Sequence, residues 1–91
     1  MRNFLIKNST HSPIELCKSK PITVCVLAGR TQVLNMTAVS SWHGHSDIGS
    51  FVIYKNHDVL DFKCWGSFSL TLKQDNDFTT FEIVEKTPAS D

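Results

Sequence analysis

The sequence predicts a single all-β domain, an antiparallel β-sandwich or flattened barrel of about seven or eight short strands. Apolar and polar residues alternate with a period of two along several segments, which is typical of strands with one face in a core. Turn-forming residues separate these segments at intervals of about 8–12 residues. No stretch of about ten residues combines a helical period with helix caps.

The alternation is clearest in the C-terminal half. Three consecutive strands are predicted there, at residues 59–64, 67–73 and 79–84. In the second of them Phe68, Leu70 and Leu72 alternate with Ser, Thr and Lys, so one face is apolar and the other polar. The turn residues Trp65-Gly66 and 74–77 separate the three strands.

Five further strands are predicted upstream, at residues 3–7, 13–17, 22–27, 31–39 and 49–54. Pro13 and Pro21 lack a backbone donor and are therefore placed at strand starts or on edges. In the fourth segment Leu34, Met36 and Ala38 share one face of a strand, but residues 34–42 also permit a short helix as the alternative.

Length and composition fit one domain. Ninety-one residues with 41% hydrophobic and 20% charged content are ordinary for a globular chain with one core. We place that domain at residues 1–86 and expect residues 87–91 to be a flexible polar tail. No apolar run approaches the roughly 20 residues needed to span a bilayer.

The charge distribution bears on partners. The formal net charge is zero, which argues against nucleic acid as the main partner, since phosphate binding needs clustered Lys and Arg. Residues 1–45 carry five basic groups and one acid, and residues 46–91 carry four basic groups and eight acids. If the fold does not mix the two halves, such a dipole favours stacking of copies or docking on a charged partner.

Three cysteines, Cys17, Cys25 and Cys64, form no metal-site spacing and are odd in number, so reduced thiols are expected. A single bridge, for example Cys25 to Cys64, is the alternative in an exported protein. Together with an N-terminus that does not resemble a secretory leader, the odd count favours the cytoplasm. The triplets 8–10 and 35–37 match the N-glycosylation pattern, which often arises by chance.

One segment carries candidate metal ligands, Trp42-His43-Gly44-His45-Ser46-Asp47. If it is extended, His43, His45 and Asp47 project from one face, and two imidazoles with a carboxylate suit zinc or a similar divalent ion. The competing interpretation is a surface loop between two strands. We expect no resident cofactor, with a divalent metal at this set as the alternative.

Trp42 and Trp65 lie beside predicted loops, Trp42 next to the histidines and Trp65 next to Gly66. An indole at a turn either folds back on the core or contacts a ligand. Loops at the end of a sandwich often form binding surfaces. We therefore predict ligand contacts at Trp42, His43, His45 and Trp65.

No nucleophile elbow, phosphate loop or dinucleotide fingerprint is present, so the sequence predicts a protein that is not an enzyme. The favoured function is a recognition module that binds a protein or a glycan through loops at one end of the sandwich. The first alternative is an assembly subunit that forms homo-oligomers by pairing of edge strands. The second is a small metal-binding protein or metal-dependent enzyme that uses His43, His45 and Asp47.

Overall fold

The computed structural model describes residues 3–19, 22–36, 40–57 and 59–86. Within these ranges the chain forms nine β-strands and no helix. The strands are β1 Asn3–Ser9, β2 Ile14–Ser19, β3 Ile22–Val26, β4 Thr31–Leu34, β5 Ser41–Ser46, β6 Gly49–Asn56, β7 Val59–Gly66, β8 Phe68–Gln74 and β9 Phe78–Glu85.

The strands form two separate sheets, so the all-β prediction is confirmed and the architecture is a sandwich without barrel closure. One sheet has four strands in the order β4-β1-β9-β8, and the other has five in the order β3-β2-β5-β6-β7. The strand pairing is antiparallel, as predicted, at every described pair but one. The exception is the pair of β1 and β9, which run parallel and lie side by side in the middle of the four-stranded sheet.

The core lies between the sheets and is built from the inward residues of both. Two pairs of aromatic rings join the sheets, Phe51 with Phe68 and Phe62 with Phe81, each with centroids 6.2 Å apart and planes close to perpendicular. This edge-to-face geometry is the one that ring quadrupoles favour. The other buried apolar side chains are Ile6, Ile14, Leu16, Val26, Leu34, Met36, Trp42, Ile53, Leu70 and Ile83.

Asn8 is fully buried near the end of β1, and it bonds to two of the four connections between the sheets, β1 to β2 and β3 to β4. Its Nδ2 donates to the carbonyls of Ser12 (2.8 Å) and Val26 (2.9 Å), and its Oδ1 accepts from Thr10 N–H (3.0 Å) and Thr10 Oγ1 (2.6 Å). Its backbone N–H donates to Arg30 O, and its carbonyl accepts from Gly29 N–H. All of its donors and both of its acceptor oxygens are therefore engaged.

The burial of Asn8 also decides whether the triplet at residues 8–10 can be N-glycosylated in the folded chain. With an exposed fraction of 0% and its amide nitrogen bonded twice, the side chain is out of reach of a modifying enzyme in the folded chain. Residue 37 of the other triplet lies outside the described residues.

Two further expectations changed. The segment predicted as one strand at 31–39 ends at Leu34, and Ala38 lies outside the described residues, as do residues 87–91 of the predicted tail. The helix considered at 34–42 is wrong over its described part, because Ser41 and Trp42 begin β5.

No helix long and apolar enough to cross a membrane occurs in the described chain.

The three cysteines are free thiols, as expected. A bridge from Cys25 to Cys64 is excluded by this fold, because β3 and β7 form opposite edges of the same sheet. Cys64 faces the core, and burial raises the pKa of its thiol, so it stays protonated near neutrality. Cys25 is exposed rather than packed.

The outer face of the four-stranded sheet carries an ion-pair network around Glu82 on β9. Its carboxylate contacts Lys73 Nζ at 2.8 Å and Lys7 Nζ at 3.8 Å, and it accepts a hydrogen bond from Ser9 Oγ at 2.8 Å. The hydrogen bond from Lys73, followed by that from Ser9, lowers the pKa of Glu82 below its usual 4.5.

We predict that Asn8→Ala lowers the free energy of unfolding by roughly 3–5 kcal/mol, because it leaves several buried backbone groups without partners. Urea denaturation monitored by circular dichroism measures the change. The matched control is Asn3→Ala, an exposed position on the same strand, with an expected change within about 0.5 kcal/mol. A loss below about 1 kcal/mol for Asn8→Ala would show that the crossing segments are held by other contacts.

We also predict an acid-dependent loss of stability from Glu82. Since its folded pKa is depressed, the stabilisation is complete above the unfolded pKa and is lost as pH falls below about 4.5 and through the folded pKa. In NMR titrations the Glu82 midpoint should lie below 4.5, and Lys73→Gln should move it upward. A midpoint that Lys73→Gln leaves unchanged would contradict this assignment.

Candidate functional site

The candidate site lies on the outer face of the five-stranded sheet, and β5 is the strand that places its histidines. Burial alternates along β5, with Trp42 and Gly44 inward and His43 and His45 outward. The interpretation of this segment as a loop was therefore wrong. Its composition is typical of loops, yet it pairs with β2 on one side and β6 on the other.

Close packing beneath the histidines explains why position 44, between them, is a glycine. The ring of Phe51, the cross-strand partner of Gly44, lies against the glycine, and a Cβ at position 44 would come within 2.2 Å of it. The ring occupies the space that a side chain at position 44 would need. β5 is the central strand of its sheet, and His43 and His45 lie on its solvent side. Only glycine allows this approach without displacing Phe51.

Strand register places outward side chains from all five strands in two adjacent rows. We define the outer patch as the members of these rows that surround the histidines. The first row is Cys25, Glu15, His45, Ser50 and Trp65, and the second is Cys17, His43, Val52 and Lys63. Neighbouring strands are about 4.8 Å apart, so the first row extends about 19 Å across the sheet.

Trp65 is the exposed aromatic side chain of the outer patch. It lies on β7 with 53% of its surface exposed, and its cross-strand partner is the small residue Ser50. A serine cannot cover an indole, so one face of the ring is left accessible. An indole combines a large apolar surface with an N–H donor, and it is costly to leave in water.

His45 and Glu15 form the polar centre of the patch. His45 Nε2 lies 3.5 Å from Glu15 Oε2, and more than half of each side chain is exposed. An exposed pair of this kind contributes little to stability. Its donor and acceptor groups can therefore rearrange to bind a ligand at small cost.

His43 occupies the second row. Its Nε2 is 3.2 Å from Ser41 Oγ, within hydrogen-bond distance, and its cross-strand neighbours are Cys17 and Val52. Lys63, the next outward residue on that row, adds a positive charge beside Trp65 on β7. The second row therefore adds hydrogen-bond donors and acceptors next to the first row.

Trp42 is placed differently from the other three predicted contacts. It is 4% exposed and packs on the inner face of the sheet, with Lys18 Nζ 5.7 Å from its ring centroid. Its Nε1 has no hydrogen-bond partner within the described ranges. The structure therefore brings His43, His45 and Trp65 to one surface and leaves Trp42 on the other side of β5.

The metal-ligand set is separated as well. Asp47 follows β5 in the turn before β6, where it lines an open cleft together with Glu15 and His45, while His43 belongs to the next row. Across residues 3–19, 22–36, 40–57 and 59–86, no three His, Cys, Asp or Glu side chains are grouped so that one metal ion could be held.

Sequence reasoning missed Glu15, Ser50 and Lys63 as members of the site. Each of the three alternates with inward-facing residues in its own strand, so local alternation predicts that its side chain faces solvent. Its neighbours depend on the register between strands that are distant in the chain, which the local sequence pattern does not encode.

No protein-family model, no curated protein and no solved structure matches this chain. What the outer patch binds is therefore inferred from its own side chains.

Proposed function

We propose that this protein is a non-enzymatic recognition module that binds a glycan through the outer patch. The observation that carries the proposal is Trp65, an exposed indole in line with the hydrogen-bonding side chains of Ser50, His45 and Glu15 on a sheet face. The binding surface is thus a strand face rather than the end loops that the sequence suggested.

A sugar ring has an apolar face of C–H groups and an equatorial rim of hydroxyls. The apolar face can stack on the exposed face of Trp65, as apolar groups do on indoles. The hydroxyls then meet side chains that both donate and accept, namely the hydroxyl of Ser50, the imidazole of His45 and the carboxylate of Glu15. Trp65 supplies binding energy, and the polar row orients the ring.

The shape and charge of the patch fit the same ligand. A row about 19 Å long is wider than one sugar ring, so a chain of several sugars is the better match. The patch combines Lys63 with Glu15 and two histidines, which favours a neutral ligand over a strongly charged one. A protein partner is the alternative ligand for Trp65, and glycan titrations distinguish it from a glycan.

The binding partner can be sought on an array of plant, fungal, bacterial and animal glycans, followed by titration of the strongest ligand. We predict that Trp65→Ala weakens that affinity at least about tenfold, because an aromatic anchor in a binding surface typically contributes more than 1.4 kcal/mol. Trp65→Phe should retain part of it. The matched control is Phe78→Ala, which removes an exposed aromatic from the other sheet and should leave the affinity unchanged.

Tryptophan fluorescence gives a direct readout of the same event. Trp65 is exposed and Trp42 is buried, so iodide should quench mainly Trp65 in the free protein. Bound glycan should protect Trp65 from iodide. Binding with full affinity by the Trp65→Ala variant, or failure of the wild-type chain to bind any glycan, would contradict the proposal and favour a protein partner.

A further inference from the structure

The outer edge of β7 is a free edge of the five-stranded sheet. β7 is the last strand in the sheet order, and no described strand pairs with its outer edge. The backbone N–H of Phe62 donates to the carboxylate of Asp61 at 2.8 Å, so it points away from β6. Because backbone groups alternate in direction along a strand, those of Leu60 and Cys64 point to the same free edge.

The sequence of β7 is complementary to itself about Phe62. If two copies pair antiparallel with Phe62 opposite Phe62, Asp61 of each copy lies opposite Lys63 of the other. In the same register Val59 lies opposite Trp65, and both are exposed in the single chain, at 62% and 53%. The outward backbone groups of Leu60, Phe62 and Cys64 then meet their counterparts in hydrogen-bonded pairs.

We propose that two copies of this chain associate through β7 in this register and form one continuous ten-stranded sheet. The pairing brings six backbone groups of each copy into inter-strand hydrogen bonds, with the Phe62 N–H exchanging its bond to Asp61 for one to the second copy, and makes two ion pairs and two apolar cross-strand pairs. Opposite charges and apolar pairs directly across an antiparallel pair are stabilising, whereas like charges there are destabilising. The two-fold axis that relates the copies runs perpendicular to the sheet.

The other sheet edges offer no such match among the described residues. β4 has four residues, and β3 has no charged residue. β8 carries one charge, Lys73, which would lie opposite Ser69 in a pairing centred on Thr71. Only β7, of the four described edge strands, places opposite charges symmetrically about its centre.

Asp61 protects this edge in the single chain. Its Oδ1 accepts from the N–H of Phe62, and its Oδ2 accepts from Tyr54 Oη at 3.0 Å. In the pair, a change of side-chain conformation releases the N–H of Phe62 to the second copy and turns the carboxylate toward Lys63 of that copy. Local side chains that cap edge donors are a known means of limiting uncontrolled strand pairing.

The two-fold axis places both outer patches on one face of the joined sheet. Positions 59 and 65 are six residues apart, so the two Trp65 side chains lie about 20 Å from each other in the pair. The pairing itself does not depend on what the outer patch binds.

Sedimentation velocity over a range of protein concentrations tests the pairing. The wild-type chain should shift with concentration from its monomer mass of 10.2 kDa toward twice that value. D61K and K63D each place like charges opposite one another at two sites and should weaken association about tenfold. The double variant D61K/K63D restores opposite charges and should associate as the wild type does.

A mixture of the single variants makes the test specific for the register. D61K carries two lysines at positions 61 and 63, and K63D carries two aspartates there, so the two variants should associate with each other more strongly than either does alone. R30D is the matched control. It makes the same charge reversal in the turn between β3 and β4, away from β7, and should leave association unchanged.

Circular dichroism melts establish that each variant is folded. A wild-type chain that stays monomeric at all concentrations would overturn the proposal. So would folded D61K and K63D variants that associate as well as the wild type, or fail to associate when mixed. These measurements report only the association state of the chain. Glycan binding is tested separately by the affinity titrations, so either proposal can fail without the other.

Discussion

The buried side chain of Asn8 is the contact on which the arrangement of the two sheets depends. The chain passes between the sheets four times, and two of these crossings, after β1 and between β3 and β4, bond to this one residue. A buried amide with every donor and both oxygens engaged stabilises one arrangement, because any shift leaves a polar group unpaired in the core. The aromatic pairs between the sheets are less directional and would tolerate some sliding.

The same contact fixes the outer patch. Asn8 bonds to Ser12 just before β2 and to Val26 at the end of β3, so it sets where those two strands begin and end. β2 carries Glu15, and its register with β5 determines that Glu15 faces His45. A one-residue slip would turn Glu15 into the core and Leu16 toward solvent. The polar row beside Trp65 therefore depends on a buried hydrogen-bond network at the ends of β2 and β3.

The fold class could be predicted from local alternation, since the period of two in β8 indicates an inward face without any knowledge of the partner strand. Phe68 and Leu70 are buried on that face, whereas Leu72 is 40% exposed. β5 was missed because Gly44 and its neighbours are typical of loops, and only the ring of Phe51 explains the glycine. The parallel β1–β9 pair, the register of the outer patch and the role of Asn8 all depend on residues far apart in sequence. Alternation says which way a side chain points, and it does not say what lies beside it.

Native-state hydrogen exchange tests the central claim most directly. The backbone amides of Asn8, Thr10 and Gly29 belong to crossing segments or their borders, where loop amides usually exchange by small local openings. If Asn8 holds both crossings, these three amides should exchange only with the free energy of global unfolding, as core amides such as that of Phe81 do. Exchange of all three at much lower free energy than Phe81 would show that the crossings open independently, and the account of the sandwich would be wrong.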